Sequence, residues 1–281
     1  MIGLIRDLTA AADAAARRLR GDYEEDEWGF DPGFAAASRP LLDLLYDRWW
    51  RVTATGAQEV PRTTRALLVA NHAGVLPWDA AMIGTALSRA GVERGGGRVR
   101  FLVLDWAFGL PWASVAIRRL GGVPASPHNA VRLLEQDHLV MVFPEGAKGV
   151  GKPYKERYRL QRFGRGGFVE IALRTGAPIV PVAVVGSEEI YPKIGELPLA
   201  ARLLRAPYMP ITPTFPLLGP LGAIPLPSRW RIAFGEPLDL RGLGPEAADD
   251  RATVLELSEE VRDRIQQMVY AELIARPGAF R

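Results

Sequence analysis

The stretch ALLVANHAGVLPWDAAMIGTALSRAG, residues 66–91, decides the fold. It opens on a short apolar run, ALLVAN (66–71), of strand length. From Pro77 onward apolar residues recur at helical spacing, with the proline at a helix start where it is tolerated. A strand that passes into a helix across a short polar loop is the repeating unit of a parallel α/β sheet. The loop between them, NHAGVLPWD (71–79), places a histidine and an aspartate where the strand ends.

The alternation continues downstream. RFLVLD (100–105), HLVMVF (138–143), IVPVAVVG (179–186) and WRIAFGEPL (230–238) read as strands. Helices are predicted over 106–120, NAVRLLEQD (129–137), GGFVEIALRTG (166–176, closed by Gly176) and the charged segment 246–275. The expectation is an α/β fold, a mostly parallel central sheet covered by helices on both faces, over residues 51–281.

Residues 1–50 read as an N-terminal helical segment and connector. Ile2, Ile5, Leu8, Ala12, Ala15 and Leu19 recur at helical spacing over 1–20, with Arg6, Arg17, Arg18 and Arg20 between them. A membrane-surface helix and a helix packed on its own core share this pattern. DYEEDEWGFD (22–31) reads as a solvated acidic linker. PLLDLLYDRWWRV (40–52) is helical by pattern, and Trp49 and Trp50 beside Arg48 and Arg51 suit either a lipid–water interface or a core. Residues 207–228 carry seven prolines among many apolar residues, a loop too apolar for a plain linker and suited to an acyl site or a membrane contact.

The totals narrow the function classes. At 281 residues and 48% hydrophobic, the chain can bury a large core. Lys and Arg exceed Asp and Glu by only 35 to 32, too small an excess to imply nucleic acid by itself. No cysteine is present, which excludes disulfides, thiol nucleophiles and Cys-ligated zinc and fits a reducing compartment. Arg6, Asp7 and Asp13 interrupt any signal-peptide apolar region. No segment reaches the roughly 20 apolar residues of a membrane span; WAFGLPWASVAI (106–117) is too short and contains proline. A chain that is soluble or lies on a surface is expected.

Three places offer chemistry. His72 stands just past a strand end, where ligand groups gather in open α/β sheets, and Asp79 follows near a helix start, where an acid also serves the helix dipole. FPEGAKG (143–149) again ends an apolar strand, with Glu145 as an acceptor or a turn acid and with glycines at 146, 149 and 151 that permit close approach. Residues 148–165 hold seven Lys/Arg against the single acid Glu156, interleaved with Tyr154, Tyr158 and Phe163. This suits a phosphate on a small molecule or lipid headgroup. It lacks any nucleic-acid signature. There is no G-x-S-x-G elbow and no P-loop, and the three histidines show no metal-ligand spacing. His128 and His138 open a helix and a strand and read as structural.

Four blocks in order then resemble the glycerolipid acyltransferase family of the lysophosphatidic acid acyltransferase type. They are N-H…D (71–79), RRLGGVPAS (118–126), F-P-E-G (143–146) and APIVPVAVVG (177–186), within residues 51–238. The resemblance implies an enzyme that moves a fatty acyl group from acyl-CoA or acyl-carrier protein to a lysophospholipid hydroxyl. His72 is then the general base and Asp79 its orienting acid. Asn71, Glu145, Gly146 and Lys148 belong to the substrate site, and Arg159 and Arg162 hold the phosphate. No metal or resident cofactor and no nucleic acid are implied. The site of action is cytoplasmic, peripheral on the inner face of the cell membrane.

The chain departs from the family pattern three times. Six residues, not four, separate His72 from Asp79. Lys148 stands where arginine is usual, and Pro124, Ala125 and Ser126 replace an acceptor-binding arginine. A neutral or glycosylated acceptor, or a non-catalytic lipid-binding relative, are the alternatives these changes leave.

Overall fold

The computed structural model describes residues 16, 20–21, 24–62, 64–73, 76–92, 99–109, 113–146, 149, 151–203 and 209–280. In chain order come α1 (Pro32–Leu44), running on into a π turn (Leu45–Trp49), β1 (Thr53–Thr55), β2 (Ala66–Ala70), α2 (Trp78–Arg89) and β3 (Arg100–Val103). Next are α3 (Asp105–Phe108), α4 (Ala113–Arg119), β4 (Gly122–Pro124), α5 (Pro127–Glu135), β5 (Leu139–Val142) and α6 (Gly167–Thr175). The chain continues through β6 (Ile179–Val185), β7 (Gly195–Glu196), α7 (Pro198–Leu203), β8 (Pro210–Ile211) and β9 (Arg231–Phe234) to α8 (Arg251–Ala275).

Seven strands form the main sheet in the order β1-β9-β6-β2-β5-β3-β4. The run from β6 to β4 is parallel; β9 joins β6 antiparallel and carries β1 at the edge. The sheet is therefore mostly parallel, as expected. β2 lies between β5 and β6 with every residue buried, which is why its sequence is continuously apolar rather than alternating. Leu67 and Val69 enter the core under α5, α6 and α8. Ala66, Leu68 and Ala70 enter the core on the other face, with α1, α2 and α4. The period of two thus divides one apolar strand between two cores.

Several local expectations change. The acidic stretch at 22–31, where described, is not a solvated linker but a strap. Asp26 pairs with Arg100, a guanidinium only 2% exposed, and Glu25 and Glu27 pair with Arg119 and Arg132. Asp31 then caps α1 by accepting from the Phe34 N–H at 2.7 Å. Burying Arg100 demands a counter-charge, and the strap supplies it. Over the predicted helix 106–120 the described residues form two helices, Asp105–Phe108 and Ala113–Arg119. The closing helix starts only at Arg251, capped by Asp250. β1, β4 and the β7–β8 hairpin carry too few residues to show a period. Trp50 is core, stacked on Trp230 at 4.7 Å, whereas Trp49 is part-exposed. The helix expected over 1–20 lies almost wholly outside the described residues.

Candidate active site

Because β2 and β5 are parallel neighbours, the loops that follow them leave the same sheet edge side by side, next to those after β3 and β4. The N-H…D and F-P-E-G blocks meet for this reason. The His72 ring packs against the Phe143 ring, centroids 4.4 Å apart. His72 Nδ1 lies 2.7 Å from Asp79 Oδ2. The six-residue spacer therefore still delivers the acid. Asp79 is fully buried in the first turn of α2, where the helix N-terminus favours its charge. The same oxygen accepts the Ala73 N–H at 2.8 Å, locking loop to helix. With Nδ1–H donating to the carboxylate, Nε2 is the ring nitrogen left for a substrate.

Behind the imidazole stands a second set of buried charges. Glu145 accepts the His72 N–H at 3.3 Å through one oxygen and the Gln161 N–H at 2.7 Å through the other. Lys152 Nζ lies 3.3 Å from Glu145 and 3.1 Å from Glu188, and donates to the Arg159 carbonyl at 3.0 Å. One ammonium thus serves two buried carboxylates. Burial is the larger influence on Glu188 and pushes its carboxyl up to about 7 despite Lys152 beside it. A neighbouring trio joins the Tyr158 hydroxyl and Arg276 to Glu189; burial, then Glu189, raises the Tyr158 phenol above its ordinary range. Gly149 is required here, since a Cβ would stand 2.5 Å from the Cβ of Glu145.

Of the cavities that border the loop, two include charged or titratable side chains. One, of about 350 Å³, is lined by His72, Phe143, Gly146 and Ser126 with apolar side chains from β3 and α6, and with Arg165 at its edge. The other, of about 230 Å³, is lined by Ala73 and Leu76 from the loop, by Lys152 and Glu188, and by Met209 and Phe215 from the proline-rich segment.

The structure brings His72, Asp79, Glu145 and Gly146 together. It does not turn the Asn71 side chain to a substrate: the amide is fully buried and exchanges both its hydrogen bonds with the Val184 backbone, at 2.7 and 2.8 Å. Asn71 continues the β2–β6 ladder by one side chain. Glu145 has both oxygens engaged, so it braces the loop from behind. Arg159 and Arg162 are exposed, and neither is among the described residues lining the two cavities; Arg165, from the end of the same basic run, is. Lys148 lies outside the described residues. Lys152 and Glu188 were missed by sequence reasoning. Their one signal was an acid pair, Glu188–Glu189, directly after the apolar strand β6.

The family model described as Acyltransferase matches residues 51–185. An uncharacterized protein of Mycobacterium tuberculosis is 50% identical over 275 residues, covering 97% of this chain and 76% of that protein. A Bos taurus protein named DGAT1/2-independent enzyme synthesizing storage lipids is 22% identical, over 89% of this chain and 68% of its own. The crystal structure of the 1-acyl-sn-glycerophosphate (LPA) acyltransferase of Thermotoga maritima superposes with a TM-score of 0.56 at 19% identity, covering 97% of this chain and 99% of that one, a likeness of fold. The chain belongs to the acyltransferase family, whose model its residues 51–185 match, and it is an acyltransferase.

Proposed function

We propose that this enzyme transfers a fatty acyl group from acyl-CoA or acyl-carrier protein to the hydroxyl of a lysophospholipid, with His72 as general base. The observation that carries the reading is the 2.7 Å His72–Asp79 contact at the wall of a largely apolar cavity. The acceptor hydroxyl gives its proton to His72 Nε2 as its oxygen attacks the thioester carbonyl. The tetrahedral intermediate collapses by expelling the thiolate, which takes the proton back from the imidazolium. Asp79 holds the ring in the required tautomer and stabilises its charge. Gly146, at φ +56° with open space around it, lets backbone line the cavity without a side chain. Arg165 is suited to a phosphate at the cavity edge. The site is proposed as peripheral to the inner face of the cell membrane; among the described residues no helix is long and apolar enough to cross one.

A second reading, a neutral lipid alcohol as acceptor, is favoured by one observation. Arg165 is the single Lys or Arg among the described residues lining the His72 cavity. The bovine relative's name, which speaks of storage lipids, points the same way.

The test is purified protein with labelled acyl-CoA and labelled acyl-carrier protein, against a panel of lysophospholipids and neutral alcohols. Transfer is expected, and His72→Ala should lower it by roughly 10²–10⁴-fold. Undiminished turnover in that variant would remove His72 as the base. The acceptor that supports turnover chooses between the two readings.

A further inference from the structure

We propose that the excursion between β6 and β9, through its described residues 194–203 and 209–224, seats on an anionic phospholipid bilayer by a wedge of aliphatic side chains at its tip. This rests on the functional reading above for its purpose, since it names the surface by which a lipid-using enzyme meets its bilayer. Residues 206–228 contain no charged side chain. At the tip Leu217 is 84% exposed, with Leu218, Leu221 and Ile224 also exposed, and at the foot Leu199 is 83% exposed beside an exposed Ile194. Single exposed leucines are ordinary, but six exposed large aliphatic residues within one excursion are a concentration of the kind that marks a contact.

The backbone of the tip is prepared for a poorly hydrated setting. A chain entering a lipid interface must pair its N–H groups internally. Here Thr212 N–H donates to the Phe215 carbonyl at 2.8 Å and Phe215 N–H to the Thr212 hydroxyl at 2.9 Å. Leu218 N–H bonds Thr214 at 2.9 Å, Gly219 N–H bonds Pro216 at 2.9 Å, and Ile224 N–H bonds Leu221 at 3.1 Å. Pro213 and Pro216 have no N–H to leave unpaired.

The foot of the wedge has an interfacial character of its own. The part-exposed Trp49 donates its indole N–H to the Pro225 carbonyl at 3.0 Å, and the Tyr191 hydroxyl donates to Ala223 at 2.7 Å. Aromatic rings with one apolar and one polar end suit the headgroup level. Charge complements this. The Tyr154 N–H bonds the Lys193 carbonyl at 3.0 Å, which sets the turn with exposed Lys155 and Arg157 beside the foot, where anionic headgroups would meet it. Met209, Thr212 and Phe215 of the same excursion line the second cavity together with Ala73 and Leu76. A bilayer seated on the wedge therefore lies next to the catalytic loop.

The absence of cysteine makes the test direct. Leu217→Cys is labelled with an environment-sensitive fluorophore. Glu256→Cys, exposed on α8 and about 30 Å up that helix from Arg276 at 1.5 Å per residue, is the control. Both are titrated with vesicles of phosphatidylcholine, with and without phosphatidylglycerol, and no acyl donor or acceptor. The expected result is a blue shift at position 217 that bilayer-embedded quenchers reverse, stronger on anionic vesicles, with none at position 256. The double variant Leu217→Asp with Leu221→Asp should weaken vesicle partition by roughly tenfold or more while its unfolding midpoint stays put. An unchanged probe at position 217 overturns the proposal. So does a wild-type dimer in vesicle-free buffer that the double variant dissolves, since a second copy would then cover the patch. Because no substrate is present, absence of acyl transfer would leave this outcome standing, and loss of binding would leave the catalytic reading standing.

Discussion

In the loop after β2, the backbone N–H groups of His72 and Ala73 are held by the buried carboxylates of Glu145 and Asp79. In the excursion before β9, the N–H groups of Thr212, Leu218 and Gly219 are held by carbonyls a few residues away, and no charge takes part. Both segments lie outside the main sheet and both must pair their backbone. The catalytic loop does so with two buried carboxylates, one from the adjoining helix start and one 73 residues away, which fixes the imidazole in three dimensions. The excursion does so with local turns and prolines, which leaves its side chains free to face outward. A reactive group needs the first solution because its position must be over-determined; a contact surface needs only the second.

That contrast can be broken, most forcefully at Lys152. Lys152→Met should destabilise the protein by about 3–5 kcal/mol in denaturant unfolding, because it leaves Glu145 and Glu188 buried without their shared cation. A change under about 0.5 kcal/mol, typical of a surface site, would show that the catalytic loop is not braced by charge. Asp79→Asn comes next. It should lower kcat by roughly 10²–10⁴-fold with KM little changed, because the acid acts on the base and not on substrate binding. A rise in KM with kcat intact would assign Asp79 to the substrate instead.

The smallest expected effect is a pH dependence at Glu188. Its carboxyl sits at about 7 in the fold, against 4.5 as its ordinary value. Between those values the folded state holds a proton that the unfolded state releases. Its contribution to stability is therefore present at low pH, lost as pH rises through this window, and wholly lost above about 7. Glu188→Gln should flatten the fall in unfolding free energy between about pH 5 and about pH 8. Parallel profiles for the two proteins would exclude the group as the source.

Much of the molecule was legible in the residues. ALLVA and LVMV are strands because continuous apolar runs of that length bury on both faces, and the helices between them declare their period. Shorter pieces were not legible: three residues at Thr53–Thr55 or Gly122–Pro124 show no periodicity, and neighbouring strands decide that they pair. The acidic strap read as solvated because its partners, Arg100, Arg119 and Arg132, lie far along the chain.

The sequence by itself determined the alternating α/β order, the family blocks, and His72 with Asp79 as a pair of chemical types at a strand end, because each is a local property of neighbouring residues. Only the tertiary structure decided that a longer spacer still closes the His72–Asp79 contact at 2.7 Å. It also decided that Asn71 serves the strand ladder, and that Arg165 rather than Arg159 or Arg162 reaches the cavity. The reason is physical: a side chain's partner is set by which strands lie side by side. The order β6-β2-β5 brings Glu145 to His72 across 73 residues of chain, a distance that no local pattern spans.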